Sequence, residues 1–329
     1  MREAVSVKVY HGYGHTQNLV VFGHVFKGRA KINQRFSNNL LINACNLVKL
    51  FMVKPFAFTN IKLHFFGKTF LNKTEADGFF KFEWQANEKV AAGWHEVKID
   101  ALNEAGDVMA EGFGKIYVPH ITQYAFISDI DDTVVNSYSA TLWRRLKVLL
   151  TKNPRTRTVF SSTANYYQQL AVSHTTLNQP NPFFYVSSSE WNLYDYLTEA
   201  FKFNQLPDGI FLLNTIKRLK DFFKTGKTGH QGKLLRVMRV LDTFPEQKFV
   251  FFGDNSQQDP QIYETIVQRY PKNIMAVYIR NVRLSKAEST LELLDKIETL
   301  GISTCLFTKS EEAMAHSKKI GLIAGEDFA

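Results

Sequence analysis

The sequence predicts an α/β domain built on a parallel sheet and preceded by a small all-β sandwich. Short strands separated by turn residues fill the first third of the chain. Continuous apolar runs alternating with helical candidates fill the rest. Pro119 marks the change of rhythm.

In the first part, Val5–Tyr10 and Leu19–Phe26 read as strands, and 39–52 has the helical spacing of Leu, Ile and Val. Ile61–Phe66, Phe79–Trp84, Trp94–Asp100 and Gly112–Val118 read as further strands. Asp77-Gly78 and Ala105-Gly106-Asp107 supply turn chemistry between them. Beyond Pro119, Tyr124–Ser128, Phe183–Val186, Ile210–Leu213, Phe249–Phe252, Met275–Ile279 and Ser303–Leu306 are short apolar runs. Several do not alternate, as expected of strands covered on both faces. Ala164–Ala171, Trp191–Phe203, Lys233–Thr243, Pro260–Arg269, Thr290–Leu300 and Glu311–Lys319 are the helices between them, and the alternation implies right-handed crossovers. The expected domains are therefore 1–119 and 120–329.

A chain of 329 residues with 45% hydrophobic and 22% charged residues buries a core without staples. Cys45 and Cys305 are read as buried thiols, not a disulfide framework. The early residues lack the apolar stretch of a secretory signal, and no run of about 18 apolar residues offers a membrane span. The expected location is cytoplasmic, with peripheral membrane contact. The net charge of +9 suits an anionic partner: nucleic acid, an acidic membrane or a phosphorylated substrate. The histidines lack ligand spacing with each other or with cysteine, so no zinc site is expected.

Ligands of a parallel sheet bind beyond the carboxyl ends of its strands. Three predicted strands end in acids or hydroxyls: Asp129-Ile130-Asp131-Asp132-Thr133, Ser187-Ser188-Ser189, and Gly253-Asp254-Asn255 running on to Asp259. Asp129, first out of its strand, can attack a phosphoryl group and form a covalent intermediate. Asp131, two residues on, can protonate the leaving oxygen and later activate water. Carboxylates this close call for a hard cation, so Mg2+ is expected on Asp129, Asp254 and the Asp131 carbonyl, with Asp259 as a further candidate. Lys233 adds a second cation, and Ser187 donates to a phosphoryl oxygen. Ser188 and Asn255 are further candidates for phosphate binding, and Thr133 belongs with the nucleophile loop.

The ordered set Asp129-x-Asp131-x-Thr133, Ser187, Lys233 and Gly253-Asp254 with Asp259 resembles the four motifs of the haloacid dehalogenase superfamily. The resemblance implies a Rossmann-like parallel sheet of that type. Phe184-Tyr185-Val186-Ser187-Ser188-Ser189-x-Trp191, Leu206-Pro207-x-Gly209 and Phe249-x-Phe251-x-Gly253-Asp254-x-Ser256-Gln257-Gln258-Asp259-Pro260 resemble the actin-patch phosphatidate phosphatase family over roughly 120–320. Tyr10-His11-Gly12-Tyr13-Gly14 and Gly93-Trp94-His95-Glu96-Val97 resemble the β domain of its bacterial members. The resemblance implies Mg2+-dependent hydrolysis of phosphatidate to diacylglycerol and phosphate. The chain departs from the family at Gly232, Asn255 and Asn214, which puts the substrate, not the chemistry, in question.

Each feature has a plainer reading. Asp259 before Pro260 is a normal helix start, Ser187, Ser188 and Ser189 are possible helix caps, and Lys233 can be a surface lysine. Gly226-Lys227-Thr228-Gly229 reads as a loop before Lys233, not as a nucleotide site. From 134 to 189 there is no acid, and Trp143, Arg144, Arg145 and Lys147 form either a lip that docks on anionic lipid or a solvated helix. The competing functions are a phosphatase of another monoester, such as a nucleic-acid end or a soluble metabolite, and an inactive lipid-binding module. Nucleic acid is the less favoured partner because no base-stacking platform is evident. Intact Asp129 and Asp131 argue against lost activity.

Overall fold

A computed structural model describes residues 4–28, 51–130, 162–216 and 229–323. Among these, 4–28 and 51–120 cluster into one compact unit, and 121–130, 162–215 and 229–323 into a second.

The first unit is a strand network: β1 (Val5–Val9), β2 (Gly12–His15), β3 (Asn18–Lys27), β4 (Asn60–Phe65), β5 (Lys68–Lys73), β6 (Phe79–Trp84), β7 (Gly93–Leu102) and β8 (Val108–Val118). The order is β1-β3-β2-β8-β7-β4-β5, with β6 paired to β3. Every pairing is antiparallel except β2 with β8. All eight strands are thus hydrogen-bonded into one network rather than into two separate sheets. Alternation sets the faces: in β4 Ile61, Leu63 and Phe65 are buried while Lys62 and His64 lie outward. The inward residues join Leu19, Val21, Ile99 and Ile116 in one apolar cluster.

Two strands of this unit left no trace in the sequence pattern. β2 carries two glycines because the chain passes close to β3; a Cβ on Gly12 would lie 2.1 Å from the Val20 carbonyl oxygen. β5 is an edge strand exposed along nearly its whole length, so it shows no apolar alternation. The expected helix at 39–52 lies outside the described residues up to position 50.

The second unit is a parallel sheet: β9 (Tyr124–Asp129), β10 (Phe183–Glu190), β11 (Gly209–Asn214), β12 (Lys248–Asp254), β13 (Ile274–Arg280) and β14 (Ser303–Phe307). Its order is β11-β10-β9-β12-β13-β14, with every pairing parallel. The described helices are α1 (Thr163–Ala171), α2 (Tyr194–Phe203), α3 (Gly229–Thr243), α4 (Asp259–Arg269), α5 (Ala287–Glu298) and α6 (Ser310–Lys319). Trp191–Leu193, read from the sequence as the first turn of α2, is a separate 3-10 turn. The central strands are buried on both faces, and Phe126, Phe249, Phe251 and Phe252 are fully enclosed, which is why their apolar runs are continuous.

The winding of this sheet positions the site. From β9 the chain steps outward to β10 and β11, then crosses back to β12 on the other side of β9 and continues outward. The reversal falls between β9 and β12, where ligands of such sheets bind. Val186 pairs with Asp129, and Phe252 with Ser128. The carboxyl ends of β10, β9 and β12 are therefore level. No described helix is long and apolar enough to cross a membrane. Cys305 is a free thiol, half-buried instead of the buried one expected, and burial pushes it up to about 11. Cys45 lies outside the described residues.

Candidate active site

Asp129 is the last residue of β9 and is buried. The strand beneath it is fastened by Tyr167 of α1: its hydroxyl meets Ser128 Oγ at 2.9 Å, and Ser128 Oγ donates to the Asp129 carbonyl oxygen at 2.8 Å. Asp254 closes β12 in the same way. Its Oδ1 accepts from the Ser256 amide at 2.5 Å, which bends the chain out of the strand.

Asp259 opens α4, but not as a cap, since Gln258 occupies the cap position and makes no side-chain cap bond. Its carboxylate turns back toward β12, where Oδ2 accepts from the Asp254 amide at 3.3 Å. This return requires Gly253. A Cβ there would lie 2.8 Å from both Cβ and Oδ2 of Asp259. The glycine before Asp254 is therefore a steric condition for Asp259 to reach the site.

Lys233, on α3, completes the cluster. Its Nζ donates to Asp129 Oδ1 at 2.6 Å and to Asp259 Oδ1 at 2.5 Å, and all three side chains are buried. Burial pulls the Lys233 pKa down, but Asp129 and Asp259 outweigh it and hold the amine above the ordinary lysine value. Burial first, and Asp259 second, push Asp254 up to about 7. One oxygen from each of Asp129, Asp254 and Asp259 lies within 4.8 Å of the others. Three carboxylates against one lysine leave the cluster short of positive charge. An all-oxygen, buried and negative donor set fits a hard divalent cation.

Ser187 follows the residue paired with Asp129. The ladder between β10 and β11 loses register from Val186 to Glu190, so Ser187, Ser188 and Ser189 leave the regular pairing beside the site. None of them caps a helix: the turn at Trp191 starts after Glu190 with no side-chain cap bond, and α2 starts after Leu193 likewise. Ser187 Oγ accepts from the Ser189 amide at 2.9 Å, while Ser188 is half-buried. Asn255 points elsewhere. Its Nδ2 donates to Asn281 Oδ1 and the Arg283 carbonyl, and its Oδ1 accepts from the Val282 and Arg283 amides. That amide clamps the loop after β13, and its donors and acceptors are taken up there.

One residue was missed by sequence reasoning. Arg236 stands one turn after Lys233, a spacing that puts both on one face of α3. Its Nη2 donates to the Ser187 carbonyl at 3.2 Å, while its Nε is buried without an acceptor among the described residues. Burial lowers its pKa to about 10, so it remains cationic at neutral pH. Asp131, Asp132, Thr133, Trp143, Arg144, Arg145 and Lys147, and the loop 226–228, lie outside the described residues.

Fold and site together define an α/β domain with a buried, lysine-braced carboxylate cluster at its switch point. Residues 124–281 match the family model described as phosphatidate phosphatase APP1, catalytic domain. An uncharacterized protein of Schizosaccharomyces pombe is 26% identical over 160 residues, 48% of this chain and 25% of its own length. Phosphatidate phosphatase APP1 of Saccharomyces cerevisiae is 32% identical over 99 residues, 30% of this chain and 16% of its own. The chain thus spans a quarter or less of these curated relatives. Among solved structures, a bacterial immunoglobulin-like domain of the M. primoryensis ice-binding adhesin matches 35% of this chain and 97% of that chain. The identity is 12% and the TM-score 0.20, too low to carry an argument.

Proposed function

We propose that the chain is a Mg2+-dependent phosphatase that hydrolyses phosphatidate, or a related lipid phosphate, through an aspartyl-phosphate on Asp129. In this reading 120–329 is a catalytic domain of haloacid dehalogenase type and 1–119 a separate sandwich-like module. The enzyme works in the cytoplasm on peripheral contact with a membrane. One observation carries the reading: a buried carboxylate at the end of the central strand, held 2.6 Å from a lysine and facing two more carboxylates.

The residues divide the work as follows. Lys233 keeps Asp129 ionised and fixes its Oδ1, so the other oxygen is the attacking atom. Asp259 grips Lys233 from the opposite side, which prevents the amine from following the nucleophile. As Asp129 forms its bond to phosphorus, the bond to the ester oxygen breaks, and Asp131 gives that oxygen its proton. Asp131 then takes a proton from water, which displaces Asp129 and releases phosphate. Charge builds on the phosphoryl oxygens, where Lys233, Arg236 and the Ser187 hydroxyl are donors. Mg2+, held by Asp129 and Asp254 with support from Asp259, would neutralise phosphate charge that otherwise repels a carboxylate nucleophile.

The test is phosphate release by the full chain from an aryl phosphate and from phosphatidate vesicles, with Mg2+ or with chelator. Asp129→Asn is expected to lower both rates by at least about 1000-fold, as loss of a nucleophile does, and chelator to stop both. Turnover by Asp129→Asn at the parent rate would overturn the covalent mechanism. Faster release from a phosphorylated oligonucleotide than from phosphatidate would overturn the substrate.

A further inference from the structure

The net charge of the chain is concentrated in one stretch. From Ala4 to Thr74 there are ten Lys or Arg and no Asp or Glu. The remaining residues carry 30 basic against 31 acidic groups, so the whole +9 comes from this stretch. Its C-terminal end is the edge hairpin of the first unit, β4–β5, with the turn that precedes it.

Three large apolar side chains are displayed there. Phe58 is 70% exposed, Phe66 68% and Leu71 73%. Strand alternation explains which way Leu71 points. Phe70 packs inward, its ring 5.7 Å from that of Trp84, so Leu71 must face out. The residue paired with Leu71 across the hairpin is Lys62, and Lys68 and Lys73 are exposed at the two ends of β5.

The two phenylalanines also sit where the backbone disfavours them. Phe66 and Gly67 form a two-residue hairpin loop with φ of 45° and 73°, and Phe58 has a φ of 52°. Such loops favour Asn-Gly, since a bulky side chain at positive φ is strained. The Phe66 ring lies against Phe65 at 4.4 Å and His95 at 5.5 Å, yet both phenylalanines stay largely exposed. Lysines on an edge strand protect against strand pairing between molecules. That accounts for Lys68 and Lys73, but exposed Phe66 and Leu71 work against it.

We infer that the β4–β5 edge of the first unit is a docking surface for an anionic lipid bilayer. Phe58, Phe66 and Leu71 enter the interface, Lys62 and Lys73 on Leu71's face engage the headgroups, and exposed Lys68 flanks the loop at Phe66. Basic residues and exposed apolar ones act together at such surfaces, the lysines drawn to the acidic leaflet and the apolar side chains to its interface. Nucleic acid shares the charge requirement but not the use of an aliphatic Leu71. The surface does not depend on the phosphatase reading, because it needs no chemistry at Asp129.

The full chain, in chelator, is sedimented with vesicles of phosphatidylcholine alone or mixed with phosphatidylglycerol, a lipid with no phosphate monoester. Binding is expected only to the mixed vesicles and should weaken with salt. The triple variant Lys62→Glu, Lys68→Glu, Lys73→Glu should bind at least about tenfold more weakly, since three headgroup attractions are reversed. Phe66→Asn with Leu71→Thr should also lose binding while keeping its thermal midpoint, because Asn suits the turn and Thr the strand. Turnover of a soluble aryl phosphate should be unchanged in both variants. Absent vesicle binding by the parent, parental binding by either variant, or tighter binding to a DNA duplex than to vesicles overturns the docking surface. Each of those results leaves the phosphatase reading intact.

Discussion

Two clusters of polar and charged side chains sit on the two sheets of this protein, and their shortest contacts are nearly equal. On the first, Lys98 lies 2.6 Å from Glu111 and 3.3 Å from Asp100, which is also 2.6 Å from His64. On the second, Lys233 lies 2.6 Å from Asp129 and 2.5 Å from Asp259. The settings differ. Lys98 and Glu111 are 33% and 47% exposed and sit on neighbouring strands, whereas Lys233 and Asp129 are 5% and 3% exposed and come from a helix and a strand end 104 residues apart. The outer cluster has one lysine and one histidine for its two carboxylates. The inner one has three carboxylates and one lysine. A given pair interacts about four times more strongly at an effective dielectric near 20 than in water. Burial and charge imbalance, not contact distance, therefore separate a site from a surface ion pair.

The largest effect is expected from removing the inner cation. Lys233→Met keeps the length of the side chain but leaves buried carboxylates uncompensated. Breaking a buried pair in this way costs about 3–5 kcal/mol. Hydrogen exchange of the β9 and β12 amides, measured in chelator, reads that loss in the second unit alone. Mg2+ should recover part of it, since it would supply the missing positive charge. Amide protection equal to the parent's in chelator would erase the distinction between the two clusters.

Arg236 sharpens the comparison, because it is a half-buried cation whose buried Nε has no acceptor among the described residues. Such a group is poised for an anion that arrives from outside. Arg236→Ala is expected to raise KM for phosphate esters by about 10–100-fold, the usual worth of a hydrogen bond to a charged group. Inorganic phosphate should bind correspondingly more weakly. Arg236→Lys should recover only part, since a point charge cannot reproduce the planar fork. If both variants bind phosphate like the parent, Arg236 only props the Ser187 carbonyl.

The same contrast explains what could be read from the sequence. The strands of the second sheet were legible because burial on both faces makes their runs continuously apolar. The rule that ligands of a parallel sheet bind beyond the carboxyl ends of its strands made Asp129 and Asp254 stand out. Lys233 and Asp259 were legible as a set with them, through spacing and resemblance. β5 was not legible, because an exposed edge strand has no apolar pattern to show, and β2 was hidden by its glycines. Arg236 looks like any arginine on a solvated helix face. Its one signal is its position three residues after Lys233, which becomes informative only once Lys233 is known to face the site. Asn255 resembled a phosphate ligand because of its neighbour Asp254. Its clamp on Asn281, Val282 and Arg283 depends on a strand pairing that no local pattern encodes.

The smallest effect is expected on the outer cluster. Lys98 gains from the hydrogen bond to Glu111, which raises its pKa, but the amine is solvated and is shared with Asp100. Water screens the pair, and ordering two long side chains offsets most of the attraction. Lys98→Ala should leave the thermal midpoint of the first unit within the scatter of repeat measurements, at low salt and at high salt alike. His64 would remain on Asp100 at 2.6 Å, so the buried carboxylate keeps a partner even after the lysine is gone. A midpoint that drops as far for Lys98→Ala as for Lys233→Met would mean that the outer cluster is coupled to the core through Asp100, and exposure would no longer be a guide to which charges matter.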